Sequence, residues 1–98
     1  MTINKFVNGT ELTLEVAGRL DTVTAPELEA VLKVSVNGIT KLIFDFASLE
    51  YVSSAGLRVL LSAQKAMNKQ GIMVIRNVCE TVMEVFEITG FSDILTIE

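Results

Sequence analysis

The sequence predicts an α/β domain whose mixed, mostly parallel β-sheet carries an N-terminal hairpin and helices packed on it, in the order ββαβαβαβ. Three observations carry this. An Asn8-Gly9 pair separates two strand-like runs, three segments with a helical apolar period each run out at a glycine, and short β-prone runs lie between them. Strands separated by helices of this length join through right-handed crossovers into parallel neighbours, and the hairpin adds one antiparallel strand.

The hairpin covers Ile3 to Val7 and Thr10 to Ala17, with Leu12, Leu14 and Val16 alternating against Thr13 and Glu15. Asn-Gly suits the positive φ angles of a tight two-residue turn. Thr24-Ala25-Pro26-Glu27 then opens a helix: Thr24 is placed to cap it, Glu27 to reach back to the cap, and Pro26 sits in the first turn, where a missing N–H costs nothing. Leu28, Val31, Leu32 and Val36 continue the apolar repeat, and Gly38 stands where a left-handed cap is wanted. Lys41 to Phe46 is apolar on both faces, as expected of a central strand covered by helices.

A second helix is expected from Ala55 to Lys69, with Leu57, Leu60, Leu61, Gln64 and Met67 on one side and Arg58, Ser62, Lys65 and Lys69 on the other; Gly71 ends it. Ile72 to Arg76 reads as another buried strand, Glu80 to Thr89 as a third helix closed by Gly90, and Ile94 to Ile97 as a last short strand. In sheets of this kind the loops at the C-terminal strand ends carry function. At 98 residues the chain supports one hydrophobic core, so residues 1–98 are expected to form one domain.

Composition narrows the function. The net charge of -4 offers no clustered Lys or Arg, so a nucleic-acid partner is not expected. The longest apolar runs fall far short of the roughly 18 residues that read as a membrane span, and the N-terminus lacks the order of a signal peptide, so the cytoplasm is expected and a membrane is not. Histidine is absent altogether, which removes the commonest general base and metal ligand; no catalytic residue, metal site or cofactor is expected. Cys79 stands alone and is read as core.

The most informative stretch is the turn Ser53-Ser54-Ala55-Gly56 at the head of the second helix, where unpaired N–H groups and the positive end of the helix dipole gather. Physics leaves three readings. Ser53 or Ser54 is an N-cap, with Gly56 allowing helix and sheet to pack closely; or the turn binds an anion, although no glycine-rich loop with Lys-Ser or Lys-Thr is present; or a serine is a hydrolase nucleophile, which the missing histidine and the missing Gly-x-Ser-x-Gly exclude.

The residues also resemble a family. Gly18-Arg19-Leu20-Asp21, the Thr24-Ala25 helix start, Asp45-Phe46 with Leu49, Tyr51-Val52-Ser53-Ser54-Ala55-Gly56-Leu57, Ile88-Thr89-Gly90-Phe91 and Ile94-Leu95 together resemble the STAS domain of bacterial anti-sigma factor antagonists. The resemblance implies a STAS-type fold and a partner-switching protein that is a ligand and a substrate, not an enzyme. The unphosphorylated antagonist of that family binds an anti-sigma factor that is also a serine kinase; phosphorylation breaks the complex and a serine phosphatase restores it. The family's phospho-acceptor follows an aspartate, and the matching position is Ser54, with Ser53 in the aspartate's place. The expected exposed contact set is Asp21, Thr22, Ser53, Ser54, Gly56 and Arg58. An alternative is a STAS module serving as a structural or regulatory subunit, beside a lipid-transport ATPase or in a stress-sensing scaffold, without a phospho-switch.

Overall fold

A computed structural model describes all residues from Met1 to Glu98. The elements in chain order are β1 (Thr2–Asn8), β2 (Glu11–Leu20), α1 (Ala25–Ser35), β3 (Lys41–Asp45), β4 (Leu49–Val52), α2 (Ser54–Asn68), β5 (Ile72–Arg76) and α3 (Glu80–Thr89), followed by a single 3-10 turn at Phe91–Asp93. The expected α/β fold is present, with one strand added and one reduced. The added strand is β4. The reduced one is Ile94 to Ile97, where only Ile97 pairs, in a parallel bridge to Ile75.

Strands run β1-β2-β3-β5 across the sheet, antiparallel for β1·β2 and parallel for β2·β3 and β3·β5, and β4 pairs with the far end of β2. The hairpin pairs Asn8 with Glu11, so the loop is Gly9-Thr10 rather than Asn8-Gly9. Gly9 alone takes a positive φ, +63°, as a turn with glycine at its first central position requires.

Both parallel crossovers step the same way along the sheet, and right-handed connections therefore put α1 and α2 on the same face. Here the structure corrects the expectation of a central strand covered by helices on both faces. Leu42 and Phe44 of β3 point into a core of 23 residues that gathers Leu12, Leu14, Leu28, Leu60, Met73 and Phe86 from strands and all three helices. Ile43, with its register neighbours Thr13 and Val74, faces the other way; Ile43 and Val74 are buried but lie outside that core. Phe44, Phe46 and Phe86 are fully buried, with the first two rings 5.5 Å apart and tilted, and each contributes roughly 1.5–3 kcal/mol by its removal from water.

The C-terminal residues cover the edge of β5. Ile75 N–H donates to Thr96 O, Glu98 N–H donates to Ile75 O, and Arg76 pairs with Glu98 at 2.7 Å. Gly90 takes the left-handed cap of α3 (φ +81°), as the sequence predicts.

Candidate functional site

The site forms where β2 changes partner. Up to Glu15 this strand pairs with β3; from Gly18 it pairs with β4, with a register shift between Gly18 and Arg19. Gly18 sits at that irregularity with φ +96°, a conformation glycine adopts freely. Re-aiming β2 leaves β3 and lays Leu20 beside Val52, and Ser53 N–H then donates to Leu20 O at 2.9 Å. The loop after β2, carrying Asp21 and Thr22, is thereby fixed beside the serine turn, although no hydrogen bond joins Asp21 to either serine.

Asp21 organises its own loop. Its Oδ1 accepts from Val23 N–H at 3.0 Å and Thr24 N–H at 3.2 Å, and its carbonyl accepts from Ala25 N–H at 2.8 Å. Thr24 precedes α1 as expected but makes no side-chain cap; its hydroxyl accepts from Asp21 N–H and donates to Arg19 O at 2.8 Å. Glu27 does not reach back, because Asp21 has taken the N–H groups of Val23 and Thr24 that precede the helix. Pro26 does lie in the first turn.

Donation by Thr24 N–H first, then by Val23 N–H, with the nearby Arg19 charge, holds the Asp21 carboxyl below its ordinary value of 3.8 against a smaller opposing effect of burial. A carboxyl whose pKa falls on folding stabilises the fold above its unfolded value and loses that contribution as pH drops through the folded value. Asp21→Asn is accordingly expected to melt below wild type at pH 5–7, and the gap to close as pH falls below about 4; thermal melts of both proteins from pH 2.5 to 7 check this.

The two serines divide their roles. Ser53 is the N-cap of α2, extended at φ -97° and ψ 177°, and its Oγ accepts from Gly56 N–H over a long 3.4 Å. Ser54 is the first residue of the helix, exposed, and its hydroxyl makes no hydrogen bond within the chain. The capping reading therefore belongs to Ser53. Gly56, expected in the exposed contact set, is buried: a Cβ there would stand 2.7 Å from Leu20 Cγ, 2.9 Å from Val52 Cγ2 and 3.0 Å from Leu20 O. It serves the close approach of α2 to the strands and presents no surface. Thr22 and Arg58 are exposed and line one groove of about 220 Å³ between α1 and α2, with Pro26 and Glu29.

Two residues at the site were not singled out from the sequence. Arg19 and Tyr51 face each other across β2 and β4, with the guanidinium carbon 4.4 Å from the ring centroid and Arg19 Nε 3.8 Å from Asp21 Oδ2. Both stand in the motifs quoted above, but their pairing depends on β4. Cys79 precedes α3 in a half-buried position without a side-chain cap and directs its thiol to Leu49 O at 3.4 Å, tying α3 to the start of β4.

The model of the family described as the STAS domain matches residues 2–98. The chain belongs to the STAS domain family. It is 39% identical over 82 residues to BtrV of Bordetella bronchiseptica, covering 82% of this chain and 71% of that one. It is 35% identical over 85 residues to the anti-sigma-B factor antagonist of Listeria monocytogenes, covering 85% and 75%. The fold superposes on the Bacillus cell fate determinant SpoIIAA in its phosphorylated form with a TM-score of 0.76 at 18% identity, over 99% of this chain and 91% of that one. No helix of this STAS protein is long and apolar enough to cross a membrane.

Proposed function

We propose that the chain is an anti-sigma factor antagonist that binds an anti-sigma factor/serine kinase while unphosphorylated and is released when Ser54 is phosphorylated, with a serine phosphatase resetting it. The observation that carries this reading is the division of labour at the turn. Ser53 spends its hydroxyl on the helix cap, while Ser54 keeps a free, exposed hydroxyl at the helix start, beside the Asp21 loop. In the switching step the Ser54 oxygen takes the γ-phosphoryl group of ATP, its proton passes to a base of the kinase, and ADP leaves. The chain is the substrate of that step, and regulation of transcription follows from whether its partner is occupied.

The contact surface in this reading comprises Asp21, Thr22, Ser53, Ser54 and Arg58. Phosphate adds about -1.5 to -2 charges at a helix N-terminus, where the dipole tolerates them, so binding is lost while the fold persists. Intact-mass measurement after incubation with the cognate kinase and ATP is expected to show one added phosphate on wild type and none on Ser54→Ala. An unmodified wild type removes the phospho-switch, and a Ser54→Ala variant that still gains one phosphate moves the acceptor elsewhere, with Ser53 the first candidate.

A second reading rests on Ser53, which stands where the family's acceptor is preceded by an aspartate. Without that carboxylate beside Ser54 a kinase has one fewer charge to recognise, as in a STAS module that serves as a subunit of a lipid-transport ATPase or a stress-sensing scaffold. Recovery of a small ATPase-fold kinase on the immobilised chain supports the first reading, and recovery of a transporter ATPase the second.

A further inference from the structure

We propose that Arg19, laid against the Tyr51 ring at the border of the serine turn, is a specificity-determining contact that receives a carboxylate of an acidic partner surface. The inference rests on the antagonist reading and adds to it the chemistry of the partner's face.

The geometry makes Arg19 a prepared cation. Its guanidinium carbon lies 4.4 Å from the Tyr51 centroid, yet the side chain keeps 60% of its exposure. Stacking of this kind holds one face of the guanidinium while leaving its edge free, so less side-chain entropy is lost when a ligand engages it. Asp21 does not satisfy that edge. Its Oδ1 is taken up by the N–H groups of Val23 and Thr24, and its Oδ2 stands 3.8 Å from Nε, beyond hydrogen-bond range. The two terminal Nη groups have no acceptor in the chain, and their planar fork is the shape that takes a carboxylate through two parallel bonds.

The surrounding charges give the sign of the partner. The chain carries twelve acidic and only eight basic residues, three of them arginine. Arg76 is engaged by Glu98 at 2.7 Å. The other two, Arg19 and Arg58, border the serine turn, one on the strand that abuts Ser53 and one on the first turns of α2. Two of the three guanidinium groups of an acidic molecule thus make no hydrogen bond, and both belong to elements that meet at the serine turn. A partner complementary to Arg19 sets a carboxylate against it, and arginine and tyrosine are among the residues in which binding energy at interfaces concentrates. Phosphate on Ser54 then adds about -1.5 to -2 charges at the neighbouring turn, against a partner face that carries a carboxylate, which weakens the complex without disturbing the fold.

The test is the affinity of the chain for its cognate anti-sigma factor/serine kinase, without ATP, from 50 to 300 mM salt, for wild type, Arg19→Gln, Arg19→Lys and Lys69→Gln. Lys69 provides the same loss of charge at the other end of α2, about 22 Å away. Arg19→Gln is expected to bind roughly tenfold more weakly with a shallower salt dependence, and Arg19→Lys to recover part of the loss. Lys69→Gln should stay within about twofold of wild type, and all four proteins should melt within about 5 °C of one another. Arg19→Gln binding as tightly as wild type, or Lys69→Gln losing as much as Arg19→Gln, overturns the proposal while the antagonist reading stands. A wild type that does not bind the kinase at all overturns both.

Discussion

Ser54→Asp is expected to weaken the complex with the anti-sigma factor/serine kinase by about a hundredfold or more while leaving the melting temperature within about 5 °C of wild type. The fold has little reason to respond. Ser54 is exposed at the first position of α2, its hydroxyl makes no hydrogen bond, and the cap is Ser53. A carboxylate in the first turn of a helix gains about 0.3–1 kcal/mol from the dipole. Binding responds because a partner packed over the turn must desolvate the new charge and oppose it with its own carboxylates. Like charges brought together at an interface cost several kcal/mol, and about 2.7 kcal/mol is already a factor of a hundred. Calorimetric titration with the kinase, paired with thermal melts, reads both quantities. Undiminished affinity removes Ser54 from the contact surface, and a melting temperature lowered by more than about 10 °C assigns the Ser54 hydroxyl to the fold instead.

Gly71→Ala carries the largest expected loss of stability, about 3 kcal/mol, which lowers the melting temperature of a domain this size by roughly 15 °C. A Cβ at residue 71 stands 1.9 Å from Thr40 O and 2.6 Å from Thr40 C, and these are backbone atoms. Thr40 cannot step aside cheaply. Its N–H donates to Thr10 O at 2.8 Å, its carbonyl accepts from Ile72 N–H at 3.0 Å, and its hydroxyl lies 2.8 Å from that of Thr10. Relieving the overlap pulls β5 from β3 at the point where their pairing begins. Chemical denaturation of the variant measures the loss, and a midpoint equal to that of wild type shows that the β3–β5 junction yields without cost.

Gly71 also illustrates how far the sequence reaches. The glycine after Asn68-Lys69-Gln70 was expected to end α2, and the helix does stop there, but Gly71 takes no left-handed conformation. Its necessity is the proximity of Thr40, thirty-one positions earlier, which no local pattern records. Gly90 is the opposite case: its φ of +81° closes α3 and depends on nothing beyond its neighbours in the chain. Thr24 lies between them. The local pattern correctly set it before the helix, but its hydroxyl answers to Asp21 and Arg19, three and five positions earlier, rather than to the helix.

The sequence by itself determined the alternation of strands and helices, the face of α2 that is buried, the hairpin and the serine turn as the head of a helix. Each is written in a repeat of two or about 3.6 residues, or in a turn residue, and needs only neighbouring positions to be read. The tertiary structure alone decided that Leu49–Val52 is a strand, because four residues carry too little periodicity to declare themselves until β2 offers them a partner. From that strand follow the contact of Ser53 with Leu20, the burial of Gly56 and the Arg19–Tyr51 stack. These are contacts between residues more than thirty positions apart, and they exist only because β2 leaves β3 at Gly18 and continues beside β4.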